Sequence, residues 1–212
     1  RNHTLPQEGI IELMVRLAQS GRSLVRLKGG DPYIFGRGGE EAEALAAAGI
    51  ACDTVPGISA AQGAAASAGI PLTHRDHAAM LVFATGHLQG EEGERTVALD
   101  WAALARPHQT VVIYMGVGTL PIICAQLIAH GLPASTPAAM IERATLPGQR
   151  SIVGTLQTLP QLSVAYGVNP PALVMIGDTV ALHARIGSSA EVLTGFPAVV
   201  DAASPQALAC TA

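Results

Sequence analysis

The chain has 212 residues, 49 % of them hydrophobic and 13 % charged, which excludes a disordered or highly solvated polypeptide and leaves room for a sizeable core. Its formal net charge is −4, and its one lysine, Lys28, stands against eleven arginines with no basic run, so a nucleic-acid partner held by a basic stripe is not expected. No apolar stretch reaches the length of a membrane span, and the N-terminus has no charged region followed by an apolar one, so no membrane association is expected.

Apolar runs alternate with helical patterns along the chain, which predicts an α/β protein. Thr4-Leu5-Pro6-Gln7 has the form of a capping box. Ile10, Leu13, Met14 and Leu17 follow at helical spacing, and Gly21 closes that helix. Ser23 to Lys28 reads as a strand, Glu40 to Ala48 as an alanine-rich helix, Ala51 to Val55 as a second strand and Ser59 to Ala68 as a helix of small residues. Met80 to Thr85 and Thr110 to Met115 are continuous apolar runs, expected as strands covered on both faces. Gly90 to Arg95 reads as a loop, and Thr119 to His130 as a helix ended by Gly131. Ala138 to Glu142, Ser151 to Thr155 and Ala172 to Ile176 are further strands. This pattern predicts an N-terminal α/β unit over residues 1–78, a second over 79–195 and a loose tail over 196–212.

Cys52, Cys124 and Cys210 are far apart and form no CxxC pair. Neither a zinc site nor a disulfide framework is expected, and a reducing cytoplasm is the default. His74 and His77 are three apart, but no third ligand stands at useful spacing, so no metal is expected. Glu40, Glu41 and Glu43 read as an exposed helix start favoured by the helix dipole.

Two segments carry the chemistry. Leu27-Lys28-Gly29-Gly30-Asp31-Pro32-Tyr33-Ile34-Phe35-Gly36-Arg37-Gly38-Gly39-Glu40-Glu41 has five glycines within residues 29–39. Such a stretch leaves a strand end exposed and lets the protein backbone approach a ligand closely. It is neither a P-loop nor the dinucleotide fingerprint. Asp31 there serves either an amine or the amides of its own turn. The second, Val55-Pro56-Gly57-Ile58-Ser59-Ala60-Ala61, leads into a helix whose first amides suit a carboxylate. Ala64 to Ala66, farther along, reads as tight helix–sheet packing.

These two segments, together with Gly69-Ile70-Pro71-Leu72-Thr73-His74-Arg75-Asp76, Thr85-Gly86-His87, Tyr114-Met115-Gly116 and Ile141-Glu142-Arg143-Ala144-Thr145, resemble the tetrapyrrole methylases, in the branch that C-methylates uroporphyrinogen III. The resemblance covers nearly all of residues 3–186. It implies two α/β domains with S-adenosylmethionine (SAM) in the cleft between them, in a homodimer. The implied reaction places methyl groups on carbons 2 and 7 of uroporphyrinogen III, giving precorrin-2 for sirohaem, cobalamin or haem d1, with S-adenosylhomocysteine as the other product. The family's cofactor positions fall on Gly29, Gly30, Asp31, Ile34, Ser59, Ala60, Met115 and Ala144. Arg37, His74, Arg75, His87, Arg143 and Arg150 lie in or beside the matching motifs and are candidates for the eight substrate carboxylates.

The family also begins with a strand ending in Gly-x-Gly-Pro-Gly-Asp and has a lysine shortly before the segment seen here as His3 to Gln7; these hold its acid–base residues. Neither is in this sequence, so no catalytic residue is carried over. A chain truncated in this way is expected to expose apolar surface, to be poorly soluble or unstable, and to turn over little. Methylation of a later cobalamin precursor, or SAM or tetrapyrrole binding without catalysis, are the alternative expectations.

Overall fold

The computed structural model describes residues 5–87, 96–187 and 191–194. The predicted loop at Gly90 to Arg95 and the tail beyond Thr194 lie outside them. In chain order the elements are α1 (Gln7–Gln19), α2 (Gly38–Ala47), α3 (Ala60–Ala68), β1 (Met80–Thr85), α4 (Trp101–Leu104), β2 (Gln109–Tyr114), α5 (Leu120–Ala129), β3 (Pro137–Glu142), β4 (Arg150–Thr155), α6 (Leu159–Ala165), β5 (Ala172–Ile176), a 3₁₀ turn (Asp178–Leu182), α7 (His183–Ile186) and β6 (Glu191–Thr194). The α/β expectation is met. Among the described residues no helix is long and apolar enough to cross a membrane.

All six strands form one mixed sheet in the order β1-β2-β5-β3-β4-β6. β1 runs parallel to β2, while β5 is antiparallel to both β2 and β3. It follows that β1, β2 and β3 all point the same way and deliver the residues after them to one end of the sheet. β2, β3 and β5 are central and almost wholly buried, as continuous apolar runs require. β1 departs from expectation: it is an edge strand, and Met80 and Leu81 stand partly in solvent.

One face of the sheet packs Ile113, Met140, Ile152 and Val174 against Ile123 and Leu127 of α5 and Leu159 and Leu162 of α6. The other face receives α3. Its buried residues Ala61, Ala64, Ala65 and Ala68 recur at helical spacing. They cluster with Val112, Ala139, Ile141 and Met175, and side chains of one carbon let the helix axis come close to the strands. Ala66 points outward.

Ser23 to Lys28 and Ala51 to Val55 are not strands. A strand needs a ladder, and neither segment has a partner among the described residues; Val25 is 91 %, Leu27 84 % and Val55 79 % exposed. The exposed apolar surface anticipated from the sequence is therefore present on these two segments. The predicted capping box rests on Thr4, which lies outside the described residues. The N-cap of α1 is Pro6, whose side chain has no acceptor to offer, and the Gln7 amide reaches across to Glu41, 3.0 Å away.

Glu41 corrects the reading of an exposed acidic helix start. It is buried, and its carboxylate accepts from Lys28 Nζ at 2.9 Å and from Arg26 Nε at 3.2 Å, so it fastens the segment before the glycine motif to α2. Burial pushes the Glu41 carboxyl up, but the hydrogen bonds from Lys28 and Gln7 and the charges of Lys28 and Arg26 outweigh it and hold the group below the ordinary carboxylate value. A carboxyl held low in the fold adds stability that is complete above its unfolded pKa, near 4.5, and is lost as pH falls through the folded pKa. Glu41→Gln is expected to lower stability at pH 7 by about 2 kcal/mol, because Lys28 keeps its charge without its partner. The same variant should flatten the fall in melting temperature between pH 5 and pH 3. Thermal melts across that range check this, and parallel acid limbs for the two proteins would refute it.

Candidate functional site

The two glycine-bearing segments meet. Asp31 answers the choice between amine and turn amides: its Oδ1 accepts from Tyr33 N at 2.9 Å and its Oδ2 from Gly57 N at 3.2 Å, so one carboxylate shapes its own turn and ties it to the second. The approach is so close that a Cβ on Gly57 would lie 2.8 Å from the Gly30 carbonyl oxygen. Gly30 itself has φ +93° and borders Ser59, whose Cα would sit 3.5 Å from a Gly30 side chain. Both positions therefore need glycine, one for contact and one for conformation.

Ser59 is the N-cap of α3, with the extended backbone of a capping serine, yet it makes no capping bond. Ala61 N, the amide such a serine commonly serves, donates instead to Tyr114 Oη at 3.0 Å. The Ser59 hydroxyl is left buried with no partner in the protein. A hydroxyl in that state costs about 1–3 kcal/mol relative to one that is bonded, which makes it a site ready for a polar ligand atom.

Tyr114 was not among the residues singled out, although its motif was. It ends β2 and touches three parts of the molecule: the Ala61 amide, the Phe35 ring of the glycine segment at 4.7 Å and the Phe83 ring of β1 at 5.8 Å. Only the tyrosine's place at a strand end hinted at this.

The residues after the co-directed strands complete the rim. Met115 follows β2 with φ +55° and is 55 % exposed. Arg143 and Thr145 follow β3 with φ +51° and +66°. Between them Ala144 packs on the α3 face of the sheet, and Thr145 N donates to Gln149 Oε1 at 2.6 Å. Backbone held in the left-handed region at non-glycine residues, at the carboxyl ends of strands, is where ligand sites concentrate. Ile34 is half-buried in the glycine segment, and Gly29 and Ala60 are exposed. Of the predicted cofactor positions, direct contacts join Gly30, Asp31 and Ser59, and Tyr114 links that cluster to the strand that carries Met115. A cavity of about 250 Å³ lies at the opposite end of the sheet, lined in part by His108, Gln109, Pro137 and Gly177, and takes in none of these residues.

The charged candidates separate. Arg75, His87 and Arg143 are exposed. Arg37 is half-exposed and grips Glu40 at 2.7 Å. That hydrogen bond raises the Arg37 pKa and holds the Glu40 carboxyl below its ordinary value. The His74 ring lies 4.8 Å from that of His77, tilted by 49°, and accepts from Asp76 N through Nδ1. Arg150 is engaged within the fold. Its guanidinium meets buried Glu142 through Nε and Nη2 and donates from Nη1 to the Tyr166 carbonyl at 3.1 Å, so its fork is committed to the fold. Cys124 is equally inert: burial pushes its thiol up to about 12.

A family model, Tetrapyrrole (Corrin/Porphyrin) Methylases, matches residues 1–160. The chain belongs to the tetrapyrrole methylases. A siroheme synthase of Nitrosospira multiformis is 55 % identical over 184 residues, covering 87 % of this chain and 38 % of that protein. The chain thus spans little more than a third of the length of the curated relatives it matches. Among solved structures, the uroporphyrin-III-C-methyltransferase from Thermus thermophilus superimposes with TM-score 0.71 and 38 % identity, over 86 % of this chain and 76 % of that one. The same enzyme complexed with S-adenyl homocysteine gives TM-score 0.69 and 36 % identity over 83 % and 75 %. In this tetrapyrrole methylase the two glycine-bearing segments meet through Asp31 and Gly57, and Tyr114 at the end of β2 joins the α3 N-terminus to the first of them.

Proposed function

We propose that this chain carries the SAM-binding and methyl-transfer region for C-methylation of uroporphyrinogen III at carbons 2 and 7, the reaction that yields precorrin-2. The observation that carries the proposal is the orphaned Ser59 hydroxyl beside Gly30 and Asp31, at the mouth of the co-directed strands. The residues fit a SAM molecule chemically. Side-chain-free backbone at Gly29 and Gly30 suits close polar contact, the α3 N-terminus suits a carboxylate, and Ile34 and Met115 offer apolar surface to a flat base. Ala60 and Ala144 complete the assignment.

SAM, when bound, supplies an activated methyl group on a sulfonium. The protein's own part is positional. The Asp31 clasp fixes the separation of the two turns and Tyr114 fixes α3, which together favour an in-line approach. Arg37, His74, Arg75, His87 and Arg143 are proposed to meet the substrate carboxylates. No described residue is assigned an acid–base role. The proposal includes a division into two units near residue 78, a homodimer and a cytoplasmic setting, and the resemblance is what supports the first two. Similarity to the uroporphyrin-III methyltransferase leaves methylation of a later precursor without support of its own.

Calorimetric titration with S-adenosylhomocysteine, followed by transfer of labelled methyl from SAM to uroporphyrinogen III, tests the reading. Saturable binding with label in the tetrapyrrole is expected. Binding without transfer selects the non-catalytic alternative, and no binding removes the donor site.

A further inference from the structure

We infer that Tyr114 is a positioning residue of the methyl-donor site, which caps α3 with its own hydroxyl so that the Ser59 hydroxyl stays free for the ligand. This rests on the donor-site reading above and assigns a division of labour within it.

An N-cap serine and a tyrosine hydroxyl compete here for a single proton. The Ala61 amide is one of the first-turn donors of α3 that the helix cannot satisfy internally. A serine at the cap accepts from the second or third amide of the helix, and Ser59 has the backbone for it, with φ −72° and ψ 159°. Tyr114 Oη already occupies that amide at 3.0 Å. As a consequence the Oγ of Ser59, a residue only 3 % exposed, has no partner among the described residues. That oxygen lies 4.0 Å from where a Gly30 side chain would begin, so it faces the glycine turn rather than its own helix.

Tyr114 is fit for the task because its ring does not move freely. Phe35 tilts against it at 4.7 Å and Phe83 meets it edge-on at 5.8 Å. The hydroxyl is thus held by packing from the glycine segment on one side and the sheet on the other. Removing that oxygen alone would leave the rings in place and release the Ala61 amide to Ser59. Rotation about the serine χ1 would then turn its hydroxyl into an ordinary cap and withdraw it from the ligand.

Two variants and their combination test this in the full chain. With S-adenosylhomocysteine as probe, Tyr114→Phe is expected to weaken binding about tenfold, although it touches no proposed ligand atom, while the melting temperature hardly changes. Ser59→Ala should weaken binding by a similar factor. Tyr114→Phe with Ser59→Ala should be no weaker than either alone, since both remove the same hydroxyl from the ligand. Amide hydrogen exchange gives a readout without ligand: Ala61 should stay protected in Tyr114→Phe, where Ser59 replaces the phenol, and lose protection in the double variant. Undiminished binding by Tyr114→Phe, or losses that multiply to about a hundredfold, would overturn this role while leaving the donor site standing. Failure of the unaltered chain to bind the probe would overturn both.

Discussion

Gly57→Ala is expected to weaken S-adenosylhomocysteine binding at least about a hundredfold. The added carbon would fall 2.8 Å from the Gly30 carbonyl oxygen and 3.0 Å from its carbon, closer than such atoms pack. Neither neighbour is a flexible side-chain tip; both are backbone, so one turn must move away from the other. That movement breaks the bond from Gly57 N to Asp31 Oδ2 and draws Ser59 from Gly30. Positioning of this kind is sensitive to displacements of about 1 Å. The sheet core lies elsewhere, around Ile113, Met140 and Val174, so the melting transition should largely persist. Titration beside a thermal melt separates the two quantities. Near-normal affinity in Gly57→Ala would show that the contact between the turns does not shape the site.

Glu142→Ala should be the most damaging substitution for stability among the charged residues. Its carboxylate is buried, holds Arg150 through two nitrogens, and accepts from Asn169 N at 2.9 Å. Alanine removes all three bonds and leaves Arg150, three-quarters buried, without its counter-charge. Breaking one side of such a pair costs about 3 kcal/mol, or roughly 6–12 °C in melting temperature for a chain of this size. Arg150→Ala is expected to cost a comparable amount, and the double variant less than the sum, because the two groups share one interaction. If Arg150 served the substrate instead, its loss would leave the melt in place and raise KM. Melts of the three variants decide between these roles.

Both expectations turn on features that are legible in the chain to different degrees. The strands over Met80–Thr85 and Ala172–Ile176 stand where the apolar runs put them, because a run of branched side chains between turn signals has few other ways to be buried. The helix of small residues was equally plain. Asp31 was visible as a turn former, but its second oxygen reaches Gly57, 26 positions away, and sequence separation says nothing about such a contact. The segments 23–28 and 51–55 show the converse. Their composition suits strands, yet pairing is a property of two chains of backbone, and no ladder forms on them. Glu41 looked like a solvated helix start because Lys28 and Arg26 lie 13 and 15 residues back, beyond the reach of any helical periodicity. Helix α6 and the short α7 are not legible in the sequence because proline, serine and histidine interrupt the apolar pattern of their segments.

What could be read from the order of residues was the class of fold, the family, and the glycines, serine and aspartate of the two turns that meet. These follow from local causes: periodic burial, absent side chains at turns, and oxygen atoms beside helix starts. Which hydroxyl bonds the Ala61 amide, and that Arg150 pairs with Glu142 within the fold, depended on packing. Both are contests between groups far apart in the chain for one proton or one charge, and such contests are resolved by distance in space.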